Sequence, residues 1–433
     1  MGWVKVYVQS FGCRASQADG AAIEAALQDR GCETTRGSAD ADLVVLNTCT
    51  VTASADLDVR RIIRNTHRDY PDAKILVTGC YAQRAPEDLV QLEGVRWVIG
   101  NSHKTQIADI VLNRSEDYHG RVLVSDMSLQ SAFTATPVRD VREDRTRPNL
   151  KIQDGCSNRC SFCIIPSVRG RSRSAGLEDV VAQVRDLSQR YCEVVLSGIN
   201  LGRWGRDIPG GLRFVDLLRR VLAETDLRQL RISSVEPMDW SQDLLQLVAH
   251  EARIAKHIHI PLQSGSDAVL KRMYRKYRAR HYASRVQLAR ELMPTAAIGA
   301  DVMTGFPGET DAEFEESLRF IEEQSFTYLH VFTYSERPGT AAAQLAGAVP
   351  MEVRRERTRL LRELSDRKNY EFRRQMLGKT LRAVTLEQRG MALTSNFLKI
   401  EMAEERLPNQ IVDLEVAGLS QSGLRERKLL PVL

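Results

Sequence analysis

The chain has 433 residues, of which 43% are hydrophobic and 27% charged, and its net charge at pH 7 is +5. This length suggests about three domains, and the composition is ordinary for a globular protein. There is no apolar run of about 18 residues and no basic segment followed by an apolar stretch at the start, so the sequence predicts neither a transmembrane helix nor a signal peptide. We therefore expect a cytoplasmic protein without membrane contact, whose eight cysteines are ligands or core residues rather than disulfides.

The first third of the chain alternates strand-like and helical patterns. The strand-like runs are residues 3–13, 43–49 and 75–80. The helical patterns are residues 17–30, 56–68 and 86–92. This alternation predicts a parallel sheet with helices on its faces, in which functional groups collect beyond the carboxyl ends of the strands. Each strand-like run ends on a cysteine, and these are Cys13, Cys49 and Cys80.

These three cysteines are far apart in sequence, but we expect them at one edge of one sheet. A lone cysteine is most often a small buried hydrophobe, whereas three at equivalent positions favour a shared role as ligands. Gly12 and Gly79 precede two of them and allow close backbone approach. Cys32 and Cys192 lack this context and are interpreted as structural.

After a segment without periodicity at residues 129–148, interpreted as a linker, six strands alternate with helices over residues 149–377. The strand candidates are residues 150–154, 193–197, 230–234, 257–262, 299–304 and 328–334. The helical patterns are residues 177–191, 214–225, 242–253, 282–292 and 311–324. Six βα units predict a partial barrel of parallel strands, with its chemistry at the carboxyl ends of those strands.

The densest group of cysteines directly follows the first of these strands. Its members are Cys156, Cys160 and Cys163. Soft thiolates at this spacing suit an iron–sulfur cluster or zinc. No further Cys or His lies nearby in sequence, so a cubane held here by three cysteines would leave one iron open to another ligand. The alternative is a zinc site that is completed from elsewhere in the chain.

This C-x3-C-x2-C triplet after the first strand of a partial barrel resembles the signature of the radical S-adenosylmethionine (radical SAM) enzymes. The resemblance implies that S-adenosylmethionine binds the open iron and is cleaved to a 5′-deoxyadenosyl radical. By family position, it also implies further cofactor contacts: Phe162 beside the cluster or adenine, Ser197, Gly198 and Asn200 near the methionyl end, Ser233 and Glu236 near the ribose, and Val302 to Gly305 near adenine.

The whole chain resembles the methylthiotransferase subfamily. The motifs of its first third that carry this resemblance are Phe11-Gly-Cys13, Asn47-Thr-Cys49 and Thr78-Gly-Cys80. The resemblance implies that these cysteines hold a second 4Fe–4S cluster whose open iron takes sulfur. It also implies two S-adenosylmethionine molecules, an external electron donor and a sulfur donor. The implied architecture is an α/β methylthiotransferase domain at residues 1–128, a radical SAM partial (βα)6 barrel at 149–377 and a TRAM-like RNA-binding β-barrel at 378–433.

Three substrate branches share this chemistry. Two modify an adenosine beside the tRNA anticodon that carries an isopentenyl or a threonylcarbamoyl group, and the third modifies an aspartate of a ribosomal protein. The motifs at residues 47–56 and 151–174 are most similar to the threonylcarbamoyl branch, which implies action on C2 of N6-threonylcarbamoyladenosine at position 37 of tRNA. The alternative from another class is a non-catalytic iron–sulfur protein that binds RNA or carries electrons, but it leaves two open irons unexplained.

Basic and aromatic residues occur together as single-stranded nucleic acids require. The run Arg169, Arg171 and Arg173 is expected at the mouth of the active-site cavity. A second basic stretch, interpreted as a contact for RNA, contains Lys271, Arg272, Arg275, Lys276, Arg278, Arg280 and Arg285 with Tyr274, Tyr277 and Tyr282. The alternative for this stretch is a solvated helix face.

Short alternating strands with turns from residue 378 onward predict a small barrel at the end of the chain. The resemblance to a TRAM domain implies that residues 394–397 and Lys399 lie on its RNA-binding face. The alternative for Phe397 is a place in the barrel core.

Overall fold

The structure of the protein, a computed structural model, describes residues 4–112, 122–130, 132–133 and 146–428. Most of the linker predicted at 129–148 lies outside these ranges. Within them, no helix combines the length and apolar character needed to cross a bilayer.

The first part of the chain forms one parallel sheet flanked by helices, as predicted. Its strands are β1 (Lys5–Ser10), β2 (Glu33–Thr34), β3 (Leu43–Thr48), β4 (Lys74–Gly79), β5 (Val95–Gly100) and β6 (Val122–Leu123). Its helices are α1 (Arg14–Asp29), α2 (Ala53–Asp69), α3 (Cys80–Arg84), α4 (Pro86–Val90) and α5 (Ile107–Leu112). The strand order is β2-β1-β3-β4-β5-β6, so the three predicted strands are neighbours. All six residues of β3 are buried, as expected for a strand covered on both faces.

The central part forms the predicted partial barrel. Its strands are β7 (Asn149–Asp154), β8 (Arg173–Ser174), β9 (Glu193–Gly198), β10 (Gln229–Ile232), β11 (His257–His259), β12 (Ala297–Thr304) and β13 (Tyr328–Thr333). Its helices are α6 (Ile165–Arg169), α7 (Leu177–Ser188), α8 (Phe214–Glu224), α9 (Gln242–His250), α10 (Asp267–Arg272), α11 (Ala279–Leu292), α12 (Asp311–Glu323) and α13 (Met351–Arg374). The six predicted strands run parallel in two sheets, β10-β9-β7 and β11-β12-β13, and the Val235 N–H donates to the His259 carbonyl between them at 3.1 Å.

The last part of the chain is a closed five-stranded barrel. Its strands are β14 (Thr380–Thr385), β15 (Met391–Thr394), β16 (Lys399–Glu401), β17 (Ile411–Leu419) and β18 (Leu424–Glu426), in the order β14-β15-β16-β18-β17. This barrel covers the amino ends of the central strands. For example, the Arg231 guanidinium at β10 donates to the Thr394 carbonyl at 3.1 Å.

One expectation about this last barrel is wrong. Residues 394–397 face the central barrel instead of presenting an RNA-binding surface, because the Phe397 ring stacks on the His257 ring at 4.2 Å and the Asn396 amide donates to the Thr295 carbonyl at 3.0 Å. Lys399 is exposed. The turn therefore holds two domains together, and the buried polar groups in it are paired across that interface.

Candidate active site

The cysteines of the first domain, here called the N-terminal triad (Cys13, Cys49 and Cys80), come together beyond the carboxyl ends of β1, β3 and β4. Gly12 has a φ of +92°, and a Cβ atom on it would lie 2.7 Å from the Cys49 Sγ atom, so a side chain is excluded there. Burial, together with the nearby thiols of Cys80 and Cys13, raises the pKa of the Cys49 thiol to about 12. The three thiols are thus close enough to act on one another.

A buried cluster of charges lies against this triad, between the first domain and the central barrel. It contains Asp19, Lys104, Lys151, Asp154 and Arg169. Burial raises the pKa of Asp19, but the three surrounding cations outweigh burial and lower it to about 2. With both carboxylates ionised, three cations and two anions leave one net positive charge beside the cysteines.

Arg169 connects the two halves of the site. Its Nε–H donates to the Cys80 Sγ atom at 3.2 Å, and its Nη1–H donates to Asp154 at 2.9 Å. The prediction that Arg169 and Arg173 lie at the cavity mouth for RNA is therefore wrong, because both are buried and the Arg173 guanidinium donates to the Arg171 carbonyl at 3.2 Å. Only Arg171 of this run is exposed.

The second group of cysteines, here called the central triad (Cys156, Cys160 and Cys163), lies in the loop after β7. Its thiols receive hydrogen bonds: the Asn200 amide donates to Cys156 Sγ at 3.5 Å, and the Arg275 guanidinium donates to Cys160 Sγ at 3.3 Å. Burial raises the pKa of the Cys163 thiol to about 12. Iron binding removes the proton from a coordinating thiol regardless of that value, and these donors would then face thiolates.

Several residues that sequence analysis placed near a cofactor have buried polar atoms without a protein partner. These atoms are Ser197 Oγ, Asn200 Oδ1 and Ser233 Oγ. A buried polar atom left unpaired is costly, so such atoms indicate a missing ligand. Gly198 also suits close approach, since a Cβ there would lie 2.9 Å from the Gln153 side chain.

The remaining predicted cofactor residues differ in what they offer a ligand. The Glu236 carboxylate forms an ion pair with Arg275 and lies beside Cys160 in a small pocket. The Val302 side chain is packed in the hydrophobic core, so only its backbone could meet an adenine. Gly305 has a φ of +70°, and its N–H donates to Glu309 at 2.7 Å. Phe162 packs against the apolar cluster that contains Phe306 and lines a cleft beside Cys163.

A cleft lies beside Cys163 of the central triad. Val51 and Thr52, which follow Cys49 closely in sequence, also line it. Its remaining lining residues are Phe162, Ile164, Ile165, Gln263, Asp301, Met303, Phe332, Thr333, Tyr334, Ser335 and Arg337. Because Ile164 packs with Cys80, the cleft borders the central triad directly and the N-terminal triad through its neighbouring residues.

Sequence analysis missed a polar group on the inner wall of the barrel. The Asp301 carboxylate lies 3.3 Å from Nε2 of His259 and 3.3 Å from Nδ1 of His330. Burial raises the pKa of Asp301, but the two imidazoles outweigh burial and leave it well below its ordinary value. Strand alternation places Asp301 and Met303 on one face of β12, but their pairing with His330 and Phe332 on β13 depends on the register of the two strands.

The basic stretch around α10 and α11 is only partly exposed. Tyr277 and Tyr282 are buried in the core, and Arg272 forms an ion pair with Glu313 at 2.7 Å. Arg275 donates a hydrogen bond to Cys160 of the central triad. The exposed members of the stretch are Lys271, Tyr274, Lys276, Arg278 and Arg280.

Both triads fit an iron–sulfur cluster better than zinc. Each has three cysteines whose Sγ atoms are not all within 4.8 Å of one another, since the only group that close in the described ranges is His259, Asp301 and His330. Tetrahedral zinc would hold its thiolates about 3.8 Å apart, so this wider spacing favours the larger cluster. The cationic donors Arg169 and Arg275 beside the thiols also suit an anionic cluster. The buried polar atoms of Ser197, Asn200 and Ser233 that have no protein partner suit a cofactor bound at the open iron of a cluster in the central triad.

Comparisons with known proteins agree with this division of the chain. Residues 5–100 match a family described as uncharacterized protein family UPF0004, and residues 150–321 match the radical SAM superfamily. The first match contains the N-terminal triad and the second contains the central triad.

Two curated relatives are similar over most of the chain. One is the threonylcarbamoyladenosine tRNA methylthiotransferase MtaB of Aquifex aeolicus, 36% identical over 403 residues that cover 92% of this chain and 96% of that protein. The other is the tRNA-2-methylthio-N(6)-dimethylallyladenosine synthase of Syntrophobacter fumaroxidans, 37% identical over 354 residues that cover 81% of this chain and 77% of that protein.

Among solved structures, the radical S-adenosylmethionine methyltransferase TsrM from Kitasatospora setae, with cobalamin and a [4Fe-4S] cluster bound, is similar in fold. The TM-score is 0.58 at 17% identity, covering 79% of this chain and 77% of that one. This likeness concerns the fold alone.

Proposed function

Because the chain belongs to the radical SAM methylthiotransferase family, we propose that it transfers a methylthio group to C2 of N6-threonylcarbamoyladenosine in tRNA. The observation that carries this proposal is the cleft that Cys163 of the central triad lines together with Val51, which follows Cys49 by two residues, and Ile164, which packs with Cys80. A relative named for this reaction matches 92% of the chain. A dimethylallyladenosine substrate is the second candidate, favoured by the 37% identity to a synthase of that class.

The residues of the two triads would hold two 4Fe–4S clusters. When bound, these groups supply reductive cleavage of S-adenosylmethionine at the central triad and sulfur at the N-terminal triad. Asn200 and Arg275 orient the Cys156 and Cys160 thiols. Arg169 fixes the position of Cys80 relative to the loop that carries the central triad. Phe162 and Phe332 give the cleft an apolar wall, which excludes water from reactive species.

The assignment of domains and partners follows from this function. Residues 1–128 would be the sulfur-delivering domain, 149–377 the radical SAM barrel and 378–433 the TRAM-like barrel. The anticodon stem-loop of tRNA is the expected macromolecular partner, since a looped base can be splayed out to reach a buried site. An external electron donor and a sulfur donor complete the reaction, and the location is the cytoplasm.

Variants of the two triads test this function. We expect Cys156→Ala to abolish 5′-deoxyadenosine formation in the anaerobically reconstituted enzyme, because it removes a ligand of the central triad. Cys49→Ala is expected to retain 5′-deoxyadenosine formation but to insert no sulfur into tRNA. Both products are measured by mass spectrometry after addition of reductant, S-adenosylmethionine and tRNA. Sulfur insertion by Cys49→Ala would overturn the role of the N-terminal triad.

A further inference from the structure

The inner wall of the cleft has an apolar part and a polar part on adjacent strands. Met303 on β12 pairs with Phe332 on β13, and two residues earlier Asp301 pairs with His330. The Phe332 side chain is 45% exposed within the cleft, although it is a large apolar group. An exposed aromatic ring inside a cavity offers a stacking surface for a splayed-out base.

The polar part is held in one arrangement and keeps atoms available for a ligand. Nδ1 of His330 hydrogen bonds to Asp301 at 3.3 Å, which leaves Nε2 on an imidazole that is 52% exposed. On the other side, Nδ1 of His259 bonds the Ser234 hydroxyl at 3.0 Å. Nε2 of His259 is buried beside the Asp301 carboxylate without the alignment of a hydrogen bond. The pair Asp301 and His330 is therefore a preformed donor–acceptor set.

We propose that Asp301 and His330 form the subsite for the threonylcarbamoyl substituent, while the adenine ring lies on Phe332 and Met303. This inference rests on the proposed function and names the groups that recognise the substrate of the enzyme. The ureido N–H groups of the substituent can donate to Asp301, and its threonyl hydroxyl can donate to Nε2 of His330, the ring nitrogen that faces away from Asp301. An isopentenyl substituent is apolar and offers neither member of this polar pair a hydrogen bond, so the site favours the threonylcarbamoyl group over it.

The charge on the opposite wall of the cleft favours the same ligand. Arg337 lines the cleft and donates to Asp56 at 2.6 Å, and Arg84 donates to the same carboxylate at 2.8 Å. Two guanidinium groups share one carboxylate, so this wall carries one surplus positive charge. That surplus offsets the negative charge that the threonylcarbamoyl carboxylate brings into the cleft.

Binding of anticodon stem-loops to the reconstituted enzyme tests the subsite. We expect the wild-type enzyme to bind a loop with threonylcarbamoyladenosine about tenfold or more tighter than the same loop with unmodified adenosine. His330→Phe should abolish this preference, and His330→Gln, which keeps a hydrogen-bond acceptor, should restore part of it. Iron content should stay unchanged in both variants, which shows that the barrel is folded and loaded. The matched control is His250→Phe, an exposed histidine on α9, which should bind as the wild type does.

The outcomes separate this inference from the proposed function. If wild-type enzyme modifies the threonylcarbamoyl loop and His330→Phe keeps the full preference, the subsite is wrong and the function stands. If the wild-type enzyme modifies neither loop, the function itself fails.

The ligand atoms of His259, Asp301 and His330 also lie within 4.8 Å of one another. Stoichiometric Mn²⁺ binding to the wild type, seen by EPR and lost in Asp301→Asn, would make this group a cation site and overturn the subsite.

Discussion

At the scale of single residues, the Arg169 guanidinium links the two cysteine triads. It follows the central triad in sequence, yet it donates to the Cys80 Sγ atom of the first domain and is paired with Asp19 and Asp154. Sequence reasoning assigned this arginine to RNA because alternating arginines are typical of phosphate contacts. Its actual partners could not be predicted, since Cys80 lies 89 positions earlier in the chain.

Replacing Arg169 is therefore expected to disturb the N-terminal triad. Arg169→Met should lower the stability of the folded protein by about 3–5 kcal/mol, because it leaves buried carboxylates without their partner. It should also reduce iron retained at the N-terminal triad, measured by iron and sulfide analysis with EPR. Arg171→Met, two positions away and exposed, is the matched control and should retain both. Equal iron content in the two variants would contradict a role of Arg169 in holding the N-terminal triad in place.

The buried Asp19 carboxylate gives the protein a pH-dependent stability. Its pKa in the folded protein is about 2, below the ordinary 3.8, so the folded state favours the ionised form. The resulting stabilisation, on the order of 2 kcal/mol, is fully present above about pH 4 and is lost as the pH falls from there toward 2. Urea unfolding of the cluster-free chain between pH 5.5 and 3 measures this loss. Asp19→Asn should show a weaker dependence on pH in that window, and an unchanged dependence would exclude Asp19 as its source.

At the scale of elements, periodicity predicted most strands and helices because hydrophobic burial dictates them. The three strands that carry the N-terminal triad and the six parallel barrel strands are all present. The two-residue strands β2, β6 and β8 were missed because two residues show no period, and β5 was missed although it has six residues. The turn at residues 394–397 was assigned to RNA, because its contacts with the central barrel depend on how two domains dock, which a local pattern does not contain.

That turn predicts a stability effect without an effect on RNA affinity. Phe397→Ala removes the ring that stacks on His257 at 4.2 Å and should cost roughly 2 kcal/mol, less than a fully buried phenylalanine would. The urea midpoint measures the loss, and the affinity for tRNA in filter binding should stay within about twofold (roughly 0.4 kcal/mol) of the wild type. Lys399→Ala, at an exposed site nearby, should leave the midpoint unchanged. A large loss of tRNA affinity in Phe397→Ala would instead indicate that the turn contacts RNA.

At the scale of the whole molecule, three domains enclose one reaction space. The first domain brings its triad and the Val51–Thr52 wall to the carboxyl ends of the barrel strands. The C-terminal barrel closes the opposite, amino end through Arg231 and Phe397. The cysteines and the barrel were predictable because the spacing of the cysteines and the alternation of strands and helices can be read directly along the chain. The polar wall of Asp301 and His330 was not, because it needs the register of two strands.

The central claim is that this enclosed space adds a methylthio group to threonylcarbamoyladenosine. Nucleoside mass analysis of tRNA from cells that lack the protein, with and without the chain supplied in trans, tests it most directly. We predict that threonylcarbamoyladenosine without the methylthio group accumulates in the deficient cells, and that supplying the chain restores the mass of one methylthio group in place of one hydrogen. Unchanged methylthiolated threonylcarbamoyladenosine in the deficient cells, or loss of methylthiolation only on isopentenyladenosine, would contradict the claim.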